Sequence, residues 1–315
     1  MKDPLIILCP PRSFSSVIST MIGEHPQIYG FPELHLFSGQ TVEDIMIREE
    51  KAGNSGPPGL IRTLAQEHDG VQNSRSIIKA IAWFRQRKHW STKKLFDYLL
   101  NLVDPLMGLE KSPETGGKKK YLERSYRWFP NAYYLHLTRH PVSTRKSLKE
   151  FYESKKRKKT KITAKYEVDG LIIWYLMHYN IVNFTNTLPV GQTMRLKGED
   201  LLSNPDLYLP QVAQWLGLST DSEAIEAMKH PEHSPYAYVG PAPVRGGNDP
   251  KFMRDPKLRL GKVKEPSLTQ FFAQNKWQWA SDLYRDILEE AGLNLLTETE
   301  ISVEIMRLAN VLGYD

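Results

Sequence analysis

The residues best suited to chemistry in this chain lie in a turn close to its start. Pro10-Pro11-Arg12-Ser13-Phe14-Ser15-Ser16 sets a guanidinium and three hydroxyls directly ahead of Val17, Ile18, Met21 and Ile22, which recur at helical spacing. Hydroxyls and backbone N–H groups entering a helix bind anions. An arginine adds a fork that engages two oxygens at once, where a lysine offers a point charge. The G-x-x-x-x-G-K-[ST] pattern of a nucleoside-triphosphate turn is absent, and Arg12 is the sole cation within this turn. A second cationic turn, Thr138-Arg139-His140-Pro141, puts a positive side chain where a metal-binding acid would stand. Both turns suit a phosphate-bearing ligand held by side chains without a metal.

Such turns need strands to place them. Leu5–Cys9 is a continuous apolar run bounded by prolines, as in a strand buried on both faces. With the helix after Ser16 it opens a βαβ unit whose turn sits where anions bind. Tyr133–Thr138 predicts a second strand, followed by a helix from about Val142 to Tyr152. Gln192–Lys197 predicts a third, and Ser203-Asn204-Pro205 a cap or turn before a helix carrying Leu209, Val212, Ala213 and Leu216 and ending at Gly217. Residues 76–84 read as strand or helix. Leu171–Phe184 reads as a buried core helix, with Trp174, Tyr175 and Tyr179 in the core. The alternation implies an α/β fold, a P-loop-like parallel sheet with helices on both faces.

Composition narrows the function classes. The 315 residues are 40% hydrophobic and 25% charged, enough chain for one large α/β domain with its own core. The single cysteine, Cys9, excludes an intrachain disulfide and a Cys-rich zinc site, and Arg139 in place of a metal-binding acid leads to the expectation of no metal. The net charge of +6 suits a polyanionic ligand, yet the densest positive run, 155–165, lacks interleaved aromatics, which argues against nucleic acid. No signal peptide or spanning segment is visible, so a soluble cytoplasmic protein without a membrane partner is expected. Residues 230–266, rich in Pro, Gly and charge, read as a long loop or lid.

The turn P-R-S-x-S-S at 11–16 and T-R-H-P-x-x-x-x-x-S at 138–147 resemble the two nucleotide-binding signatures of sulfotransferases that use 3′-phosphoadenosine 5′-phosphosulfate (PAPS). HPQIYGFPELHLF at 25–37, EKSP at 110–113, GEDLLSNP at 198–205 and, more weakly, GGNDPKF at 246–252 add matches in the family's order. The resemblance is to both the tyrosylprotein-type enzymes and the cyanobacterial carrier-linked ones. It implies a sulfotransferase fold, PAPS as donor and adenosine 3′,5′-bisphosphate as product. Arg12, Ser13, Phe14, Ser15 and Ser16 would then cradle the 5′-phosphosulfate. Arg139 and Ser147 would take the 3′-phosphate, and Arg245, Gly246 and Gly247 a late nucleotide-side loop. Two positions depart from the family: Phe14 stands where Gly is common, and Gly198 where Tyr is common.

The resemblance also implies catalytic roles. Glu33, 21 residues after Arg12, matches the family's base, and its neighbours Phe31, Pro32 and Leu34 would raise a carboxyl pKa. His35 is the rival. In an extended 33–36 segment both side chains share a face. Lys111 matches a lysine that stabilises the leaving group, a task shared with Arg12. Segments 40–75 and 225–266, with Glu43, Asp44, Tyr236 and Tyr238, are expected to wall the acceptor pocket. The acceptor is expected to be a hydroxyl of a small molecule, or a β-hydroxyacyl chain on an acidic acyl carrier protein docked at 155–165. A kinase-like ATP phosphotransferase and a non-catalytic nucleotide-binding module are the competing readings.

Overall fold

A computed structural model describes residues 2–51, 54, 56–157, 169–261, 265–274 and 298–314. The basic run 155–165 lies outside them apart from the helical backbone of 155–157. Strand β1 (Leu5–Leu8) is buried along its whole length. Its side chains alternate: Ile6 and Leu8 enter one apolar cluster, Leu5 and Ile7 the other, so each sheet face is covered. After helix α1 (Ser15–Gly23) come β2 (Ile28–Gly30), α2 (Val42–Lys51), α3 (Pro58–Asp69), α4 (Ser74–Gln86) and α5 (Thr92–Leu102). Then follow β3 (Met107–Glu110), α6 (Lys119–Trp128), β4 (Tyr133–Thr138), α7 (Pro141–Arg157), α8 (Gly170–Thr185) and β5 (Thr193–Lys197). Helices α9 (Gly198–Ser203), α10 (Pro205–Trp215), α11 (Ser222–Ala227), α12 (Leu268–Gln274) and α13 (Glu298–Val311) complete the described elements.

The sheet order is β2-β3-β1-β4-β5 and every pairing is parallel, with Leu5 opposite both Leu109 and Tyr133. The chain therefore fills one side of β1 first, with β2 at the edge and β3 inserted between them, and then the other side with β4 and β5. At such a switch point the two loops leaving the adjacent carboxyl ends diverge and open a crevice, which is where ligands bind in open α/β sheets. The loops after β1 and β4 are the two cationic turns.

Several elements differ from their sequence reading. Residues 76–84 are helical: Asn73 caps α4 with a reciprocal box to Ser76, and Ile77, Ala80 and Phe84 are buried while Ile78 is exposed. That spacing is a helix face, not a strand's alternation. Helix α7 runs five residues past Tyr152, whereas α10 starts where the Ser203-Asn204-Pro205 cap is expected, with Asn204 as N-cap and Pro205 in its first turn. Strands β2 and β3 have no counterpart in the sequence reading. They are three and four residues long and include Gly30, Gly108 and Glu110, so neither makes a visible apolar run. The core helix over 171–184 is present as α8, with Trp174 and Tyr175 buried. No helix among the described residues is long and apolar enough to cross a membrane.

One polar pair is sealed inside this core. His136 of β4 and His178 of α8 meet at 2.8 Å, Nε2 to Nδ1, both buried, with Trp174 edge-on to His178. Burial pushes both imidazoles down, His178 to about 3, and for His136 the neighbouring His178 and Arg195 add to the effect. Above the ordinary imidazole value of about 6.5 neither the folded nor the unfolded chain protonates these groups, so stability is full. As pH falls below it, only the unfolded chain takes up the protons, and stability drops progressively. Chemical denaturation should show a loss of roughly 2 kcal/mol per imidazole between pH 7 and 5. The drop should be smaller in His178→Gln, and an equal drop in that variant would refute the assignment.

Candidate active site

Among the described residues three non-glycine positions have left-handed backbones: Arg12 (φ 68°), Phe14 (φ 59°) and His35 (φ 56°). Each costs about 1–2 kcal/mol, and such strain persists only where the surroundings dictate it. All three belong to the residues singled out by sequence. The first two bend the turn after β1 so that Ser13 is fully buried and its Oγ has no hydrogen-bond partner. Phe14 is the N-cap of α1 and offers no side-chain cap, while Ser15 and Ser16 form the helix's first turn. A buried hydroxyl without a partner at an uncapped helix start leaves donors for an anion.

The second cationic turn closes on the first. Arg12 Nε donates to Ser147 Oγ on α7 at 3.1 Å, and Arg139 Nη1 donates to the Arg12 carbonyl at 2.6 Å. Arg12, Arg139 and Ser147 thus form one cluster. The Arg139 guanidinium lies over the Phe14 ring at 4.0 Å, and its buried Nε has no partner. Burial pulls both guanidinium pKa values down, that of Arg139 to about 10, so both keep their charge at neutral pH. Behind Arg139, buried Glu199 accepts from the His140 N–H (2.9 Å) and from Tyr314 Oη (3.0 Å). Arg12 also ion-pairs with Asp249, whose own N–H donates to Ser16 Oγ at 3.0 Å.

Phe14 and Gly198, the two departures from the family pattern, are in contact. A Cβ built on Gly198 would stand 2.7 Å from Phe14 Cδ2 and 3.3 Å from the Thr138 carbonyl. The ring of residue 14 fills the volume that a side chain at 198 would need.

Lys111, at the end of β3, is completely buried. Its ammonium donates to Glu33 Oε1 (2.5 Å), Ser16 Oγ (3.2 Å) and Asn248 Oδ1 (3.3 Å). Glu33 is fixed through its backbone as well: its N–H donates to the Gly247 carbonyl at 2.7 Å. Its own carbonyl faces Gly59 of α3, where a Cβ would come within 2.0 Å. Only glycine allows that approach. Gly246 accepts from Arg62 Nη1 (2.9 Å), whereas Arg245 is exposed and does not join the cluster.

The expected extended 33–36 segment is absent, because His35 is left-handed and leads into a 3-10 turn, Leu36–Ser38. The side chains nonetheless converge, with His35 Nε2 3.7 Å from Glu33 Oε2. His35 Nδ1 is 3.1 Å from Glu114 Oε2, and Glu114 accepts from Arg48 Nη1 at 2.7 Å. Of the expected pocket residues, Glu43 pairs with Lys88, Asp44 accepts from the N–H groups of Gln40 and Thr41, and Tyr236 bonds Tyr29. Tyr238 is exposed.

Asn248, Asp249, Arg48 and Glu114 are the residues that sequence reasoning missed. The first two lie inside the GGNDPKF segment, where an acid among basic neighbours is the only cue. Arg48 and Glu114 carry no cue, since each is an ordinary charged residue until α2 and the 3-10 turn Pro113–Gly117 meet.

A sequence model with the description "Sulfotransferase family" matches residues 4–222. No curated protein matches the chain. Among solved structures, the chain is similar to a sulfotransferase domain from the curacin biosynthetic pathway, with a TM-score of 0.73 and 21% identity over 100% of this chain and 99% of that one. It is also similar to a sulfotransferase domain from the Synechococcus PCC 7002 olefin synthase, with a TM-score of 0.69 and 23% identity over 100% and 97%. At these identities the likeness establishes the fold.

The Phe14–Gly198 contact makes a direct prediction. Gly198→Ala should destabilise the protein by about 1–3 kcal/mol through overpacking, and Phe14→Gly should relieve that clash. In a thermal-denaturation double-mutant cycle the two changes should be strongly non-additive. Simple additivity would show that the ring and residue 198 do not compete for space.

Proposed function

The chain belongs to the sulfotransferase family, and from that premise we propose that it moves the sulfuryl group of PAPS to an acceptor hydroxyl. The donor's needs match the donors on hand. Buried, partnerless Ser13 Oγ and the uncapped start of α1 suit the 5′-phosphosulfate, and Arg139, with its partnerless Nε, together with Ser147 suits the 3′-phosphate. Asp249 holds the Arg12 guanidinium. The phosphosulfate oxygens would take its place as the anion on that side chain.

The transfer step follows from charge. The acceptor oxygen attacks sulfur while the bond from sulfur to the 5′-phosphate oxygen breaks, and the electron pair leaves with the phosphate. Lys111 and Arg12 offset the charge that develops there. The acceptor proton passes to the Glu33–His35 side of the cleft. The observation that carries this reading is the fully buried Lys111 ammonium, held between Glu33 and Ser16 of the anion-binding helix. It supports a reading in which Glu33 serves as the acid–base group and Lys111 as the leaving-group cation of the same reaction.

A small-molecule hydroxyl is the acceptor we favour. A β-hydroxyacyl chain on an acyl carrier protein is a second reading, supported by the similar folds drawn from a curacin pathway and an olefin synthase. The seven lysines and arginines of segment 155–165 would meet an acidic carrier.

Adenosine 3′,5′-bisphosphate should raise the melting temperature of the protein, and Arg139→Ala should abolish that shift. Glu33→Gln should keep the shift but lower sulfuryl transfer from PAPS to p-nitrophenol by about 10²-fold or more. Activity should survive EDTA. Absence of a thermal shift in the unmodified protein would overturn the reading.

A further inference from the structure

Glu114 sits just after β3 on the 3-10 turn Pro113–Gly117, and nothing above gives it a task. We propose that Glu114 is the positioning residue of the proton acceptor: it holds the Nδ1 proton of His35, so that the Nε2 lone pair beside Glu33 takes the acceptor's proton. This rests on the sulfuryl-transfer reading for its purpose, though not for its geometry.

The geometry begins with a pinned backbone. The His35 N–H donates to Ser112 Oγ at 2.8 Å, its carbonyl accepts from Ser38 Oγ at 2.7 Å, and its left-handed φ of 56° leaves the residue little freedom. The ring is pinned next. A carboxylate only accepts hydrogen bonds, so the 3.1 Å contact from Nδ1 to Glu114 Oε2 places the proton of the neutral ring on Nδ1. Glu114 cannot swing away, because Arg48 Nη1 holds the same oxygen at 2.7 Å, and Arg48 is itself fixed by Glu49 at 2.8 Å. Nε2 is left as an acceptor, 3.7 Å from Glu33 Oε2, while Lys111 occupies the other Glu33 oxygen. Lysine, glutamate, histidine, glutamate and arginine thus form a row of alternating charge once the ring is protonated.

The orienting carboxylate behind an imidazole base has two effects: it selects the tautomer and stabilises the imidazolium that forms. In the step proposed above, the acceptor's O–H proton goes to Nε2 as its oxygen bonds to sulfur and the bond from sulfur to the 5′-phosphate oxygen breaks, its electron pair leaving with the phosphate. The new imidazolium lies between two carboxylates. Charged groups face His35 from several elements: Glu33 from its own loop, Glu110 of β3, Glu114, and Arg48 of α2, with Lys111 on the other oxygen of Glu33. Arg124 of α6 spends its donors on the carbonyls of Phe37 and Gly39, and α5 meets this turn through Thr92 and Phe96. Burial alone pushes the imidazole pKa down, but the Glu114 hydrogen bond and the charges of Glu33 and Glu114 outweigh burial and Arg48, and the net direction is up.

The test separates charge from orientation. Glu114→Gln keeps a carbonyl oxygen for the Nδ1 proton and removes the charge, whereas Glu114→Ala removes both. Ring ¹³C and ¹⁵N NMR on the full chain, with His35 assigned by the signal lost in His35→Gln, should give a midpoint above about 6.5 in the unmodified protein. The midpoint should fall by about one unit or more in Glu114→Gln. The neutral ring should carry its proton on Nδ1 in both, and lose that preference in Glu114→Ala. With p-nitrophenol as acceptor, the acid limb of kcat/KM should move to lower pH in Glu114→Gln. An unmoved midpoint in Glu114→Gln, or a neutral ring protonated on Nε2, would overturn the proposal. Failure of the sulfuryl-transfer reading would show separately, as no response to adenosine 3′,5′-bisphosphate in the unmodified protein.

Discussion

A fully buried ammonium is the constraint around which this molecule is arranged. Lys111 has no exposed surface, and an unpaired charge in such a place would cost several kcal/mol. Its three partners come from three separate parts of the chain: Ser16 from the first helix, Glu33 from the loop after β2, and Asn248 from the segment that folds back across the site. Satisfying one side chain therefore forces the turn after β1, the loop after β2 and the late loop to meet at the end of β3. Displacing any of them leaves the ammonium short of an acceptor. The pair is better understood as fixing geometry than as adding stability, since attraction within a buried ion pair is largely offset by desolvation.

The late loop is held by a second buried cation. Arg62 of α3, 2% exposed, donates to the carbonyls of Gly246 and Tyr238 at 2.9 Å and to Gln72 at 2.6 Å. Its guanidinium also lies over the Tyr236 ring at 5.7 Å. Loop carbonyls at 238 and 246 are thereby held by one buried guanidinium, and the residues just beyond, Asn248 and Asp249, meet Lys111 and Arg12. The loop's order is thus a consequence of hydrogen bonding to a side chain of α3.

Around the turn after β1, unfavourable backbone geometry is compensated by packing. Phe14 is left-handed, yet its ring fills the volume left by Gly198 and supports the Arg139 guanidinium. Two substitutions that look like separate departures from a family pattern are one change in packing. Arg12, also left-handed, bonds Ser147 and Asp249, so the turn is already formed around an anionic carboxylate. A protein that has met the strain of such a turn in advance loses less ordering free energy on binding an anion.

Much of this was legible in the sequence. The apolar run at 5–8, the hydroxyl-rich turn behind it and the strand at 133–138 announce a parallel α/β sheet, because burial on both faces requires uninterrupted apolar residues. The same sequence picks out Arg12, Glu33, His35, Lys111, Arg139 and Ser147 as the residues to watch. Local pattern alone could not supply β2 and β3, which are too short to show a period, or assign 76–84, whose apolar spacing becomes a helix face only when packed. Nor could it reveal that Arg12 touches Ser147, that Phe14 fits against Gly198, or that Glu114 stands behind His35. Those pairs lie 135, 184 and 79 residues apart in the chain. Hydrophobic periodicity and turn chemistry act over a few residues and so are written locally; the meeting of distant charged side chains depends on how the sheet orders its strands, which is decided only when the whole core packs.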